Sequence, residues 1–346
     1  MEPITHFLTG ACLGRAGLNR KTALATATMT LAAEAPDLDV FSRLWDGPVF
    51  SFAHHRGFTH SFLGLVPVCG VVVGFLYLVW RIRGRKTNIP DLPPRWGMLF
   101  GFAYIAGLSH ILLDYTNNYG VRPFWPFWEK WYSWDIVFIA EPLLWLALTA
   151  GLVVPGLFAL IREEVGQRRE GLRGRTAAIL ALAAMVLLWG LRDFEHRRAV
   201  AALAARTYEG ADPQKLGAYP TYIDPFTWHG VVETRNFFAL ADVDSRTPEV
   251  DPQGKMQIHY KPAETPLTMA AKRSYLGRVY LDWAAFPITE TAATPEGGWI
   301  VEFHDLRFDA PLRLGGRRPL SAGVQLDRDG HVVREFMGAV AQPAPD

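Results

Sequence analysis

HHRGFTHS, residues 54–61, runs straight into FLGLVPVCGVVVGFLYLVW, residues 62–80. The second string carries no charge. It is long enough to cross a bilayer, because a spanning helix needs roughly 20 mostly apolar residues. The first string puts three histidines and one arginine within eight residues at its mouth. Neutral imidazole is the commonest protein ligand for metals. The Arg56 guanidinium never loses its charge and suits an oxyanion such as phosphate or carboxylate. His and Arg also border ordinary membrane helices, so taken alone the stretch fits a plain interfacial flank equally well.

The rest of the chain extends the membrane reading. Half of the 346 residues are hydrophobic, with 12 Trp and 21 Phe. Residues 96–113 form another long apolar run with His110 as its one ionisable side chain, and residues 142–161 and 176–191 are uncharged. Two shorter apolar stretches precede them: residues 3–14, carrying His6, and residues 22–33. From about residue 193 the chain is polar. Runs at 230–240, 257–260, 299–308, 323–326 and 331–336 have strand character, residues 269–286 have helical character, and Asp-Pro and Gly-Gly pairs punctuate them. The expected fold is an α-helical integral membrane bundle, residues 1–192, followed by a soluble, strand-rich α+β domain, residues 193–346. The bundle should hold about four transmembrane helices plus two short N-terminal ones. Net charge is +1, which gives no steering toward nucleic acid. Cys12 and Cys69 both lie in apolar segments, where small core residues are expected rather than a disulfide or a metal site.

Several polar residues interrupt the apolar pattern at chemically suggestive places. Pro36 should end the second short helix, since the residue before proline disfavours the α region. Asp37 and Asp39 then sit just past a helix C-terminus, where the dipole prefers cations. A metal ion would compensate them. His110 and Asp114 are four residues apart, so a helix puts them on one face, able to chelate one ion or to hydrogen-bond each other. Residues 119–134 carry Trp125, Trp128, Trp131 and Trp134, an expected interfacial belt. Arg122 within it is a second candidate anion clamp. Asp135 and Glu141 precede the next apolar run. His229, His259 and His304 read as isolated surface or strand histidines.

Basic residues cluster at Arg15/Arg20/Lys21, at 81–95 and in the 162–175 loop, which has five arginines. The positive-inside rule puts all three in the cytoplasm. Successive helices then alternate, and His6, Asp37, Asp39, His55, His60, His110, Asp114 and Glu141 fall at the opposite ends. Scattered structural polar residues would not collect on one side, so a site is expected there. The expected location is a multi-pass inner (cell) membrane protein whose site and C-terminal domain face the extracytoplasmic side. Arg192, Arg197 and Arg198, on that outer side, run against the rule, with Asp193 and Glu195 diluting them.

His6, Pro36-Asp-Leu-Asp39, His55-Arg-Gly-Phe-Thr-His-Ser61, His110-x-x-x-Asp114, Gly120-Val-x-Pro123 and Trp125-Pro126 occur in a set order. That series resembles the YdjM-type family of membrane-bound metal-dependent hydrolases over roughly the first 145 residues. Glu141-Pro142 stands where many longer relatives have Asp-Pro, and Asp224-Pro-Phe-Thr-Trp228 with Val231-Val-Glu233 is similar to their C-terminal extension. The order of ligand types is more distantly similar to zinc-dependent phospholipase C and P1-type nucleases. The resemblance implies hydrolysis assisted by one or more divalent metals, zinc first, with manganese or iron fitting the same donors. Candidate ligands are His6, Asp37, His55, His60, His110 and Asp114, which exceed one tetrahedral site and suggest two ions. A metal lowers the pKa of bound water from 15.7 toward about 7. Asp39 or Glu141 would orient that water or act as general base, and Arg56 and Arg122 would stabilise developing charge. A site at the lipid–water boundary makes a membrane lipid or lipid-linked phosphoester the expected substrate. Two other classes fit parts of the sequence. An ion or proton transporter would place polar residues through the full depth of the bundle, whereas here they gather at one end. A structural anchor for the C-terminal domain accounts for the two-part layout but not for the clustered ligands.

Overall fold

The computed structural model describes residues 1–86, 92–164, 174–309 and 318–338. Most of the basic 162–175 loop and the Gly315-Gly316 pair lie outside the described residues. The chain divides into two compact units, Met1–Asp39 with Arg56–Asp193, and Val40–His55 with Phe194–Asp346.

The first unit is helical. Its elements are α1 (Pro3–Arg15), α2 (Ala25–Glu34), α4 (Leu65–Ile82), α5 (Trp96–Thr116), α6 (Pro142–Glu164) and the first part of α7 (Arg175–Ala204). Among the described residues, α4, α5 and α7 are long and apolar enough to cross a membrane. The expected fourth span falls on α6, whose apolar stretch Pro142–Phe158 is shorter. The chain is thus a helical protein with three candidate membrane spans and a strand-rich C-terminal part.

The two short N-terminal helices pack on each other through small residues. A Cβ on Gly10 would stand 2.5 Å from the Met29 carbonyl oxygen, and one on Gly14 would stand 2.6 Å from Thr26 Cα. This Gly-x-x-x-Gly face lets two backbones approach more closely than larger side chains permit. Met29, Ala32 and Ala33 of α2 pack with Cys69, Val72 and Leu76 of α4 and with Ala103 and Ala106 of α5. Cys12 and Cys69 are free and buried, the small core residues expected of them.

The second unit holds two antiparallel sheets. One has β1 (Lys215–Pro220), β2 (Thr227–Glu233), β3 (Phe237–Asp244) and β4 (Glu249–Val250) in that order, with β5 (Gln257–Tyr260) also pairing with β3. The other is β6 (Pro287–Ala293), β7 (Trp299–Asp305), β8 (Ala322–Leu326) and β9 (Val332–Met337). The 230–240 run divides into two strands at Thr234, whose N–H and hydroxyl both donate to the Phe237 carbonyl. The helical stretch expected at 269–286 forms two helices, α8 (Pro266–Arg273) and α9 (Tyr275–Trp283), separated by Ser274, which caps the second. Division of the sequence at residue 192/193 leaves residues 40–55 with the bundle. The structure groups them with the second unit instead, where Phe52 of α3 (Arg43–His54) lies 5.3 Å from Trp283 and 5.9 Å from Tyr280 between ring centroids.

Candidate metal centre

Elements of alternating direction deliver the polar side chains to one end of the helical unit. His6 lies in the first half of α1, and α5 contributes His110 and Asp114 in its last turns. Pro36 stops α2 at Glu34, and the 3-10 segment that follows, Ala35–Ser42, carries Asp37 and Asp39. A 3-10 turn, Phe58–His60, presents His60 just before α4.

Asp37, His60, His110 and Asp114 each offer one ligand atom, and these atoms all lie within 4.8 Å of one another. His60 Nε2 is 3.1 Å from Asp37 Oδ1 and 3.4 Å from Asp114 Oδ2. His110 Nε2 is 3.3 Å from Asp114 Oδ2 and 3.6 Å from Asp37 Oδ1. His6 stacks on His110 with ring centroids 3.8 Å apart, and its Nε2 is 3.5 Å from Asp114 Oδ1.

Hydrogen bonds behind the imidazoles fix which nitrogen faces the cluster. His110 Nδ1 is 2.7 Å from the Ala33 carbonyl. A carbonyl can only accept, so Nδ1 carries the proton and, in the neutral ring, Nε2 turns a lone pair toward the carboxylates. Lone pair against carboxylate is repulsive unless a cation or a proton lies between them. His110 Nε2, Asp114 Oδ2 and both nitrogens of His6 are buried without a hydrogen-bond partner. Each such group costs about 1–3 kcal/mol when left unsatisfied. Coordination to a cation would relieve all of them together, so the residues fit a divalent metal.

His60 is held in the same way through a hydroxyl. Thr59 Oγ1 donates to Asp39 Oδ2 at 3.0 Å, which leaves the hydroxyl oxygen to accept from His60 Nδ1 at 2.9 Å. Asp39 Oδ2 also lies 3.4 Å from His60 Nδ1 directly. Asp39 therefore stands behind His60, on the side away from Asp37. Outer partners of this kind orient a metal-binding ring and raise its basicity. Burial works against a proton on His60, but the carboxylates of Asp114, Asp37 and Asp39 outweigh it and hold the pKa up at about 10. A metal at Nε2 would displace that proton.

Arg56 belongs to the centre and is already engaged. Its Nη2 is 2.9 Å from Asp114 Oδ1, Nη1 donates to the Gly120 carbonyl at 3.0 Å and to Asn117 Oδ1 at 3.3 Å, and the guanidinium lies 4.5 Å from the Tyr119 ring centroid. The Met1 amino group pairs with the same Asp114 carboxylate. Arg56 has φ of 56°, in the left-handed region, and its N–H donates to Asp39 Oδ2 at 3.2 Å. Backbone held this way costs about 1–3 kcal/mol and persists only where its surroundings over-determine it. Gly120, at φ of 87°, supplies the turn that aims its carbonyl at Arg56.

The remaining candidates lie elsewhere. His55 is half-buried at the C-cap of α3, in the second unit, and is outside the group of four. Glu141 forms a fully buried ion pair with Arg192 at 2.6 Å. Arg122 is largely buried, 4.4 Å from the Trp131 ring centroid. The sequence reading passed over Thr59, Asn117, Tyr119 and Arg192. Thr59 alone had a signal, its place next to His60 inside the quoted motif. His229 and His304 do lie on strands, but both are buried. A second His/Asp group, Asp327, Asp329 and His331, sits in an exposed turn where Asp327 Oδ1 accepts from the N–H groups of the other two.

A helical protein with membrane-length apolar segments and a buried His/Asp group able to hold a metal ion is the class that this fold and site define. The family model described as YdjM inner membrane protein matches residues 1–199, and the chain belongs to that family. The matched region contains every residue of the group and ends before β1. No curated protein and no solved structure matches the chain.

Proposed function

We propose that this protein is a membrane-embedded, metal-dependent hydrolase acting on a phosphoester or other ester of a lipid or lipid-linked substrate. The observation that carries the reading is the set of buried, unpartnered His110 Nε2, His6 Nε2 and Asp114 Oδ2 gathered with Asp37 and His60. Asp37, His60, His110 and Asp114 would hold the ion, with His6 as a further donor. Mixed imidazole and carboxylate donors suit zinc, and manganese or iron fit the same atoms. Such an ion supplies Lewis acidity, polarising an ester oxygen and acidifying a water molecule.

The protein's own groups have separate tasks. Thr59 and Asp39 orient His60, and the Ala33 carbonyl orients His110. Arg56 fixes Asp114 and sets a permanent positive charge beside the centre, where it opposes charge developing on a substrate oxygen. The basic clusters at 15–21 and 81–95, at the far ends of the same helices, support an extracytoplasmic site. Its position at the ends of apolar helices favours a substrate that lies in the bilayer. The test is turnover of phosphoester and lipid substrates by detergent-purified protein after zinc or manganese loading. Chelator-sensitive turnover absent from His110→Ala is expected. Metal-independent turnover, or metal binding unaffected by His110→Ala, would overturn the reading.

A further inference from the structure

The second unit contains a cavity of ≈ 220 Å³ that the metal-centre reading does not use. Its chemistry comes from His229, Asp242, Asp251, Lys255, Gln257 and Asp309. His229 on β2 and Asp242 on β3 are register partners across an antiparallel pair. Asp251 and Lys255 come from the β4–β5 connection, Gln257 opens β5, and Asp309 follows the 3-10 turn Leu306–Phe308.

The lining is rich in acceptors. His229 is 2 % exposed, and its Nε2 lies 3.2 Å from the Leu306 carbonyl. That carbonyl can only accept, so Nε2 holds the proton and Nδ1 is the accepting nitrogen. Burial lowers the His229 pKa, which keeps the ring neutral. Asp309 is 2 % exposed, and Asp242 is exposed. Against three carboxylates stands the Lys255 ammonium, which donates to Gln253 Oε1 at 2.8 Å. A phosphate or carboxylate ligand would face uncompensated like charge here, whereas an ammonium and hydroxyl groups would find acceptors.

Size and spacing narrow the ligand further. The volume falls below the roughly 300–1,000 Å³ of drug-sized pockets, so the ligand is one ring or a short chain. Among the described residues, two groups bring three or more ligating atoms within 4.8 Å, and neither is in this cavity. An organic cation fits better than a metal ion.

We propose that this cavity is a binding site for a small hydroxylated primary amine, its ammonium among the carboxylates and its hydroxyls toward His229 Nδ1 and Gln257. The site is independent of the metal centre and gives the C-terminal unit a recognition role of its own. Isothermal titration calorimetry on the full chain in detergent tests it, with glucosamine, glucose and glucose 6-phosphate as probes. Glucosamine should bind saturably and at least ten-fold more tightly than either other probe. Asp242→Asn, at an exposed position, should weaken glucosamine about ten-fold or more, the scale of a lost charged hydrogen bond. His229→Gln should weaken it as well. Absence of saturable glucosamine binding, equal binding of glucose, tighter binding of the phosphate ester, or indifference to Asp242→Asn would each overturn the proposal.

Discussion

Replacing Asp39 with Asn separates two roles that a carboxylate can play beside a metal centre. Asp39 Oδ2 lies 3.0 Å from Thr59 Oγ1, 3.2 Å from the Arg56 N–H and 3.4 Å from His60 Nδ1. An Asn amide oxygen can accept the first two bonds, so Asp39→Asn should fold. What disappears is the negative charge behind His60. Loss of an outer partner of a metal-binding histidine typically costs 10–100-fold in metal affinity or activity, equivalent to about 1.4–2.8 kcal/mol. Zinc competition against a chromogenic chelator, on detergent-purified protein at one pH, measures the affinity directly. The positioning role predicts affinity about 10–100-fold weaker, with any turnover restored by excess zinc. Thr59→Val, which removes the bridging hydroxyl, should move affinity in the same direction. Zinc affinity within about two-fold of wild type for Asp39→Asn would refute the argument. Intact affinity with abolished turnover would instead assign Asp39 as a general base, the role the sequence alone allowed it.

Three further outcomes follow from the geometry. Protons and metal compete for His60 Nε2, and the metal-free pKa of about 10 means that His60 is protonated throughout the neutral range. Metal affinity should therefore rise with pH by about ten-fold per unit and weaken on acidification, and a flat profile between pH 6 and 8 would contradict this. Glu141→Gln leaves Arg192 buried without its counter-charge, and breaking such a pair costs about 3–5 kcal/mol. Thermal unfolding should drop sharply while metal content stays unchanged; lost metal at unchanged stability would place Glu141 in the centre after all. Gly10→Val would force α1 away from the Met29 carbonyl, which a Cβ at Gly10 already approaches to 2.5 Å. It should lower both folded yield and metal content on size-exclusion chromatography with elemental analysis, and a variant behaving like wild type would show that the close helix crossing is dispensable.

Local rules made much of this structure legible. Pro36 ends α2 where its steric clash requires, the four-residue spacing of His110 and Asp114 becomes one helix face, and the periodic strands appear near their expected places. The features that were not legible depend on partners distant in sequence. Phe41, Leu44, Trp45 and Phe52 look alike as a run of apolar residues, and nothing local reveals that Phe52 packs on Tyr280 and Trp283. Arg56 reads as a free anion clamp until Asp114, Asn117 and Gly120 are seen to hold it. Glu141 reads as a catalytic carboxylate until Arg192 is found against it. His55 and His60 share one motif, yet a change of backbone direction at Arg56 separates them and leaves His60 in the group of four.

The central claim is that Asp37, His60, His110 and Asp114 bind a divalent metal. Elemental mass spectrometry of the detergent-purified wild-type protein beside His60→Ala and His110→Ala tests it most directly. The account predicts at least about one equivalent of zinc or manganese per chain in the wild type, as expected of a protein-ligated site, and its loss from both folded variants. A folded wild-type protein that carries no metal and cannot be loaded with zinc, manganese or iron would contradict it, leaving the cluster as a proton-bridged hydrogen-bond network.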